Sequence, residues 1–235
     1  MSREAALGRA FVELADTLVG DYAVADLLQM LCERCASILD VAAAGVLLTD
    51  ERGRLRLSSA SNEQTRVLEL FEAQQEEGPC LDAYSTGEQV NERDIVHARD
   101  RWPVFAQKAL DAGFRAVFAV PLRLRGDRIG ALNMFRVEPG ELSPADLRAA
   151  QALADVAAIG ILQRRAVTAA QVRVEQLQQA LDSRVVIEQA KGIIAERLHI
   201  DPEEAFERLR RHARANQRRL HDTARLVIEG AIGPG

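Results

Sequence analysis

Between positions 145 and 199 the chain contains no proline, and its only glycines there are Gly160 and Gly192. Such a stretch lacks the residues that make turns, so it reads as one long helix. Its start is marked by Ser143 at the N-cap, Pro144 at the first helical position and Asp146 in the first turn. Leu153, Val156, Gly160, Gln163, Val167, Ala170, Val174, Leu177 and Leu181 follow at spacings of three and four. That is the seam of a coiled coil, weakened in its middle by the glycine and the glutamine. A helix over 144–183 extends roughly 60 Å at about 1.5 Å per residue. A second copy of the chain is the simplest cover for its seam, and folding back onto the rest of the chain is the alternative. The helix divides the sequence into 1–142, a connector at 143–183, and a tail at 184–235.

The first part alternates between helical and strand patterns. Leu7, Phe11, Leu14 and Leu18 fall at helical spacing, and 24–39 reads as a second helix with Leu27, Leu28, Leu31, Ile38 and Leu39 on its face. The apolar run 43–49 suits a buried strand, a turn follows at 50–53, and 54–57 alternates as a strand. A helix is expected at 64–75, a loop at Gly78-Pro79-Cys80, a brief strand at 89–91 and a helix at 103–112. Phe118, Val120, Leu122 and Leu124 alternate toward one face, Gly126-Asp127 supplies a turn, and 129–137 returns as a strand. The class is α+β, built on one antiparallel sheet flanked by helices.

The tail reverses the charge balance. Residues 1–183 carry 20 basic and 27 acidic side chains, whereas 184–235 carry 10 and 8. Six arginines and no acid fall within the twelve residues 208–219, and a local basic patch matters more to a polyanion than net charge does. Three short helices are legible, and helices this short hold only by packing on one another. The first continues the connector through Val186, Ala190, Ile193 and Ile194. The second opens at Asp201-Pro202-Glu203-Glu204 and buries Ala205, Phe206, Leu209 and Ala213. The third is capped by Asn216 and buries Leu220, Ala224, Val227 and Ile228. Arg210, Arg211 and Arg214 then face outward, with Asn216, Gln217, Arg218 and Arg219 at the corner. Guanidinium groups pair with phosphate and stack on unpaired bases. Charge alone fits a nucleic-acid surface and a solvated basic face equally well.

The segment Ser183-Arg184-Val185-Val186-Ile187-Glu188-Gln189-Ala190-Lys191-Gly192-Ile193-Ile194 resembles the opening of an ANTAR domain. Asp201-Pro202-Glu203-Glu204-Ala205-Phe206, Leu209-Arg210, and Asn216 with Leu220 extend the likeness over about 175–230. Gly78-Pro79-Cys80-Leu81-Asp82-Ala83-Tyr84, then Thr86-Gly87-Glu88-Gln89-Val90, is similar to GAF domains joined to ANTAR outputs. So are Val117-Phe118-Ala119-Val120-Pro121-Leu122 and Ile129-Gly130-Ala131-Leu132-Asn133. The resemblance implies a GAF sensor, a coiled-coil connector and a three-helix ANTAR bundle. It further implies a homodimer that binds stem-loops in nascent mRNA leaders and prevents transcription termination. Carried over to this chain, Lys191 and Asn216 match family positions. Arg184, Arg211, Arg214, Arg218 and Arg219 are RNA-binding candidates by charge and face. Gly192 is expected to serve helix packing. A receiver domain's phosphoacceptor cluster is missing from the pattern, which speaks against control by aspartyl phosphorylation.

Other classes have less support. A DNA-binding regulator using the same three helices is the alternative reading. An enzyme is not expected, because no nucleophile or phosphate loop accompanies His97, Asp94 and Asp100. Cys32 and Cys35 have CxxC spacing but lie inside an amphipathic helix with no second pair, so packing is favoured over metal or redox chemistry, as it is for Cys80. No cofactor or metal is expected, beyond a small-molecule effector of the sensor. No apolar run reaches 18 residues and the N-terminus is charged, so no membrane span or signal peptide is expected and the location reads as cytoplasmic.

Overall fold

A computed structural model describes residues 2–17 and 22–233. Leu18, the fourth position of the first expected helix, lies outside the described residues. That helix, α1, spans Arg3–Thr17 and buries Ala10 and Leu14. Helix α2 spans Val24–Ile38 and buries Leu27, Leu28, Leu31, Cys32 and Cys35 on one face. Strands β1 (Ala43–Thr49) and β2 (Leu55–Ala60) follow. Next come α3 (Glu63–Gln75), α4 (Pro79–Thr86), β3 (Val90–Glu92) and, after a short 3-10 turn, α5 (Pro103–Asp111). The hairpin of β4 (Ala116–Leu124) and β5 (Asp127–Arg136) closes an antiparallel five-stranded sheet of order β2-β1-β5-β4-β3.

Both faces of the sheet are covered, because successive strand residues point to opposite sides. Ala116, Phe118, Val120 and Leu122 of β4 face one core, shared with α1, α2 and Ala150, Leu153, Ala157 and Ile161. Val117 and Ala119 face the other, shared with Cys80, Ala83, Trp102, Phe105 and Ala109. The hairpin turn is Arg125-Gly126 rather than Gly126-Asp127: Leu124 pairs with Asp127 across a two-residue loop, and Arg125 takes φ 57°.

The expected loop at Gly78-Pro79-Cys80 is instead the start of α4. Pro79 sits at the first helical position after Gly78, whose φ of 147° suits a residue without Cβ. The Glu72 carboxylate accepts the N–H groups of Cys80 and Leu81, at 2.6 and 3.4 Å, and so satisfies donors that the helix start leaves open. This cap comes from another helix, which is why the local sequence does not advertise it.

Helix α6 runs unbroken over Pro144–Leu198. Ser143 Oγ accepts from Asp146 N–H at 3.0 Å. The helix does not belong wholly to a connector, since Leu153, Ala157 and Ile161 are fully buried in the sheet's core. One compact unit ends at Arg165 and a second begins at Ala166. In the second unit α7 (Pro202–Ala215) is capped by Asp201 Oδ1, which accepts from Glu204 N–H at 2.8 Å. Helix α8 spans Leu220–Ile228. Ala190 and Ile194 of α6, Ala205 and Leu209 of α7, and Ala224 and Val227 of α8 form one core. Phe206 is half-buried and Ile228 is exposed, so neither joins that core as their spacing suggested. Gly192 is exposed and a Cβ there would meet nothing within 4 Å, so the structure gives it no packing role.

Candidate functional site

The corner between α7 and α8 sets the direction of the basic side chains. Ala205, Leu209 and Ala213 recur every four residues and bury one face of α7, which turns Arg211 and Arg214 outward. Arg218 N–H donates to Ala213 C=O at 2.9 Å and Gln217 N–H to Arg214 C=O at 3.1 Å, with Gln217 at φ 52°. These two bonds and the left-handed residue form a Schellman stop. Asn216 therefore closes α7, contrary to the expectation that it caps the third helix. Its Nδ2 donates to His212 C=O at 2.9 Å, and Arg219 occupies the N-cap of α8 without a side-chain cap.

Neutralisation separates the arginines of this run. Arg208 pairs with Glu204 at 2.9 Å and Arg210 with Glu207 at 3.3 Å. Arg211, Arg214, Arg218 and Arg219 are exposed. Their side chains make no hydrogen bond or ion pair among the described residues. The acids at the start of α7 favour the positive end of the helix dipole, and the free arginines lie at its negative end. The result is a basic corner with four uncommitted guanidinium groups.

Arg184 and Lys191 lie apart from that set, two turns from each other on α6. Arg184 is exposed beside Leu181, Val185, Glu188 and Gln189. Lys191 is half-buried and paired with Glu188, in a groove shared with Pro202, Glu203, Phe206 and Glu207. Its ammonium is paired with Glu188, and two further acids line the same groove. Phe206, the only aromatic residue of 166–235, borders the same groove.

The N-terminal unit holds a polar interior that the sequence pattern did not disclose. Thr65, Glu69, Glu72 and Asn133 are fully buried. Burial pushes both carboxyls above the usual range, and Glu69 raises Glu72 further. A signal was present in Leu68-Glu69-Leu70-Phe71-Glu72, but it resembles any amphipathic helix until the inward face is known. Cys32, Cys35 and Cys80 are buried free thiols; burial pushes Cys32 up to about 12 and the other two upward as well. Reactive thiols need the opposite shift.

An antiparallel sheet layered by helices, followed by a helical bundle with a basic corner, defines a two-part α+β protein. The chain belongs to the GAF domain family, whose model matches residues 22–162. The ANTAR domain model matches residues 175–228. This is the make-up of a GAF-regulated RNA-binding regulator. Among curated proteins no sequence match is found. The fold is similar to that of the GAF domain of an Acinetobacter phosphoenolpyruvate-protein phosphotransferase, with TM-score 0.56 and 18% identity, over 71% of this chain and 98% of that one. The GAF domain of the corresponding Coxiella burnetii protein gives TM-score 0.56 and 15% identity over 72% and 99%. Free methionine-R-sulfoxide reductase from Neisseria meningitidis gives 0.55 and 17% over 71% and 95%. At these identities the likeness concerns the fold alone. No helix among the described residues is long and apolar enough to cross a membrane.

Proposed function

We propose that the chain is a homodimeric, signal-responsive regulator that binds hairpin loops in nascent leader RNA and prevents transcription termination. The observation that carries this reading is the corner of four uncommitted arginines inside the ANTAR match. Guanidinium groups pair with backbone phosphates and stack on the splayed bases of a loop. The protein acts by binding and carries out no chemistry of its own.

Dimerisation rests on α6. Val167, Val174, Leu177, Leu181 and Val185 are 42, 65, 65, 58 and 56% exposed, at spacings of seven, three, four and four. A stripe of this length, unpartnered among the described residues, suits a parallel copy of itself. Two copies present two arginine corners, and a target with two hairpins is then held by avidity. A signal in the sensor acts by changing how the two tails are held. Sequencing of the cellular RNA captured by the purified full chain tests the reading. Enrichment of leaders carrying paired stem-loops is expected; capture of RNA without shared hairpins contradicts it.

A further inference from the structure

Helix α3 buries two carboxyls on the same face as its core leucine, Leu68. Val67 and Leu70 are 47 and 42% exposed, while Thr65, Glu69 and Glu72 are fully buried. A helix that turns two carboxyls inward beside Leu68, with Val67 and Leu70 left outside, departs from the rule by which helices pack, and such departures concentrate at functional positions. The backbone around it is shaped for those carboxyls. A Cβ at Gly45 would lie 2.6 Å from Glu69 Oε1, and one at Gly78 would lie 2.5 Å from Glu72 Oε1.

The bonds made in this interior leave acceptors over. Asn133 Nδ2 donates to Glu69 Oε1 at 3.0 Å and to Glu72 Oε2 at 2.6 Å. Glu72 Oε1 is taken by the start of α4. Glu69 Oε2, Asn133 Oδ1 and Thr65 Oγ1 remain buried with no partner. A buried carboxyl in such surroundings is either held neutral or needs a positive partner. Among the described residues no lysine, arginine or histidine forms an ion pair with either glutamate. One ligating atom each from Glu69, Glu72 and Cys80 falls within 4.8 Å of the others.

The geometry points to a metal site: Glu69, Glu72 and Cys80 bind one divalent transition cation of the zinc class. Two carboxylates and a thiolate suit a borderline cation, whereas magnesium and calcium take oxygen alone. Bonds of about 2.0–2.3 Å bring tetrahedral ligand atoms to roughly 3.5 Å from one another, a closure within reach of side-chain torsions. Three protein ligands leave a fourth position open to water or to a donor atom of an effector. Asn133 acts as a positioning residue, holding the two carboxyls side by side. The cation replaces the protons that otherwise keep the buried carboxyls and the Cys80 thiol neutral, and those protons pass to solvent on binding. The site stands independently of the RNA reading.

The test uses the purified full chain, stripped with chelator and equilibrated with Zn²⁺ or Co²⁺ alone. One metal per chain is expected, with a thiolate-to-cobalt charge-transfer band that Cys80→Ser abolishes. Zn²⁺ is expected to raise the Tm of the wild-type chain. In the isosteric Glu69→Gln/Glu72→Gln variant that gain disappears and metal affinity falls at least about a hundredfold. Failure to bind stoichiometric metal overturns the site, as does a cobalt band that survives Cys80→Ser or an equal Tm gain in both proteins. If the double variant does not fold, the cobalt spectra of wild type and Cys80→Ser decide alone.

Discussion

Arg211, Arg214, Arg218 and Arg219 differ from Arg208 and Arg210 in what faces them: the first four meet water, the last two a glutamate. Arg211→Ala and Arg218→Ala are therefore expected to weaken hairpin binding severalfold each. The salt dependence of binding should become shallower by roughly 0.7 for each phosphate no longer neutralised. Folding stability should stay within about 0.5 kcal/mol, as exposed sites usually do. Titrations at several salt concentrations beside urea melts check both. Arg208→Ala, which removes an already paired charge, serves as the comparison. Gln217 gives a second residue-level prediction. At φ 52° a β-branched side chain is strained and glycine is not. Gln217→Val is expected to lower the urea midpoint, whereas Gln217→Gly leaves it unchanged or raises it. Equal urea midpoints for the two variants would contradict a left-handed stop at this position.

At the level of elements, α6 plays two parts along its length. Through Ile161 it is a core helix of the sensor, and over 167–185 it exposes an apolar stripe. Leu177→Glu with Leu181→Glu, placed where both side chains are more than half exposed, is expected to leave the fold intact but convert dimer to monomer. Sedimentation velocity reads the mass, and RNA affinity should fall about a hundred- to ten-thousand-fold as avidity is lost. Residues inserted near position 170 to rotate the connector should change the signal dependence of RNA affinity; unchanged dependence contradicts coupling through the helix. The same element shows how far the sequence can be read. Caps at Ser143 and Asp201, the apolar run of β1, the alternation in β4, and the buried faces of α7 and α8 are largely legible because local sequence determines them. The part of α6 that the sheet's core buries is not, since Leu153 fits both a coiled-coil seam and a sheet-facing core. The start of α4 and the buried carboxyls of α3 are hidden because Glu72 and Asn133 meet only through tertiary packing. At the tail the arginine run is legible, but its division into paired and free members depends on which acids lie a turn away. Asn216 has the residue type of a helix cap, yet it closes α7 by bonding back to His212.

Across the whole chain, a GAF domain precedes an ANTAR domain, and the long helix is common to both compact units. The central claim is that the arginine corner recognises looped RNA and does not act as a general polyanion surface. Competition between a two-hairpin RNA and duplex DNA of equal charge, at matched salt, tests it most directly. The RNA is expected to displace the duplex at far lower concentration than the reverse, and Arg211→Ala with Arg218→Ala to narrow the gap. Equal displacement by the two nucleic acids, or a preference for the duplex, would contradict it.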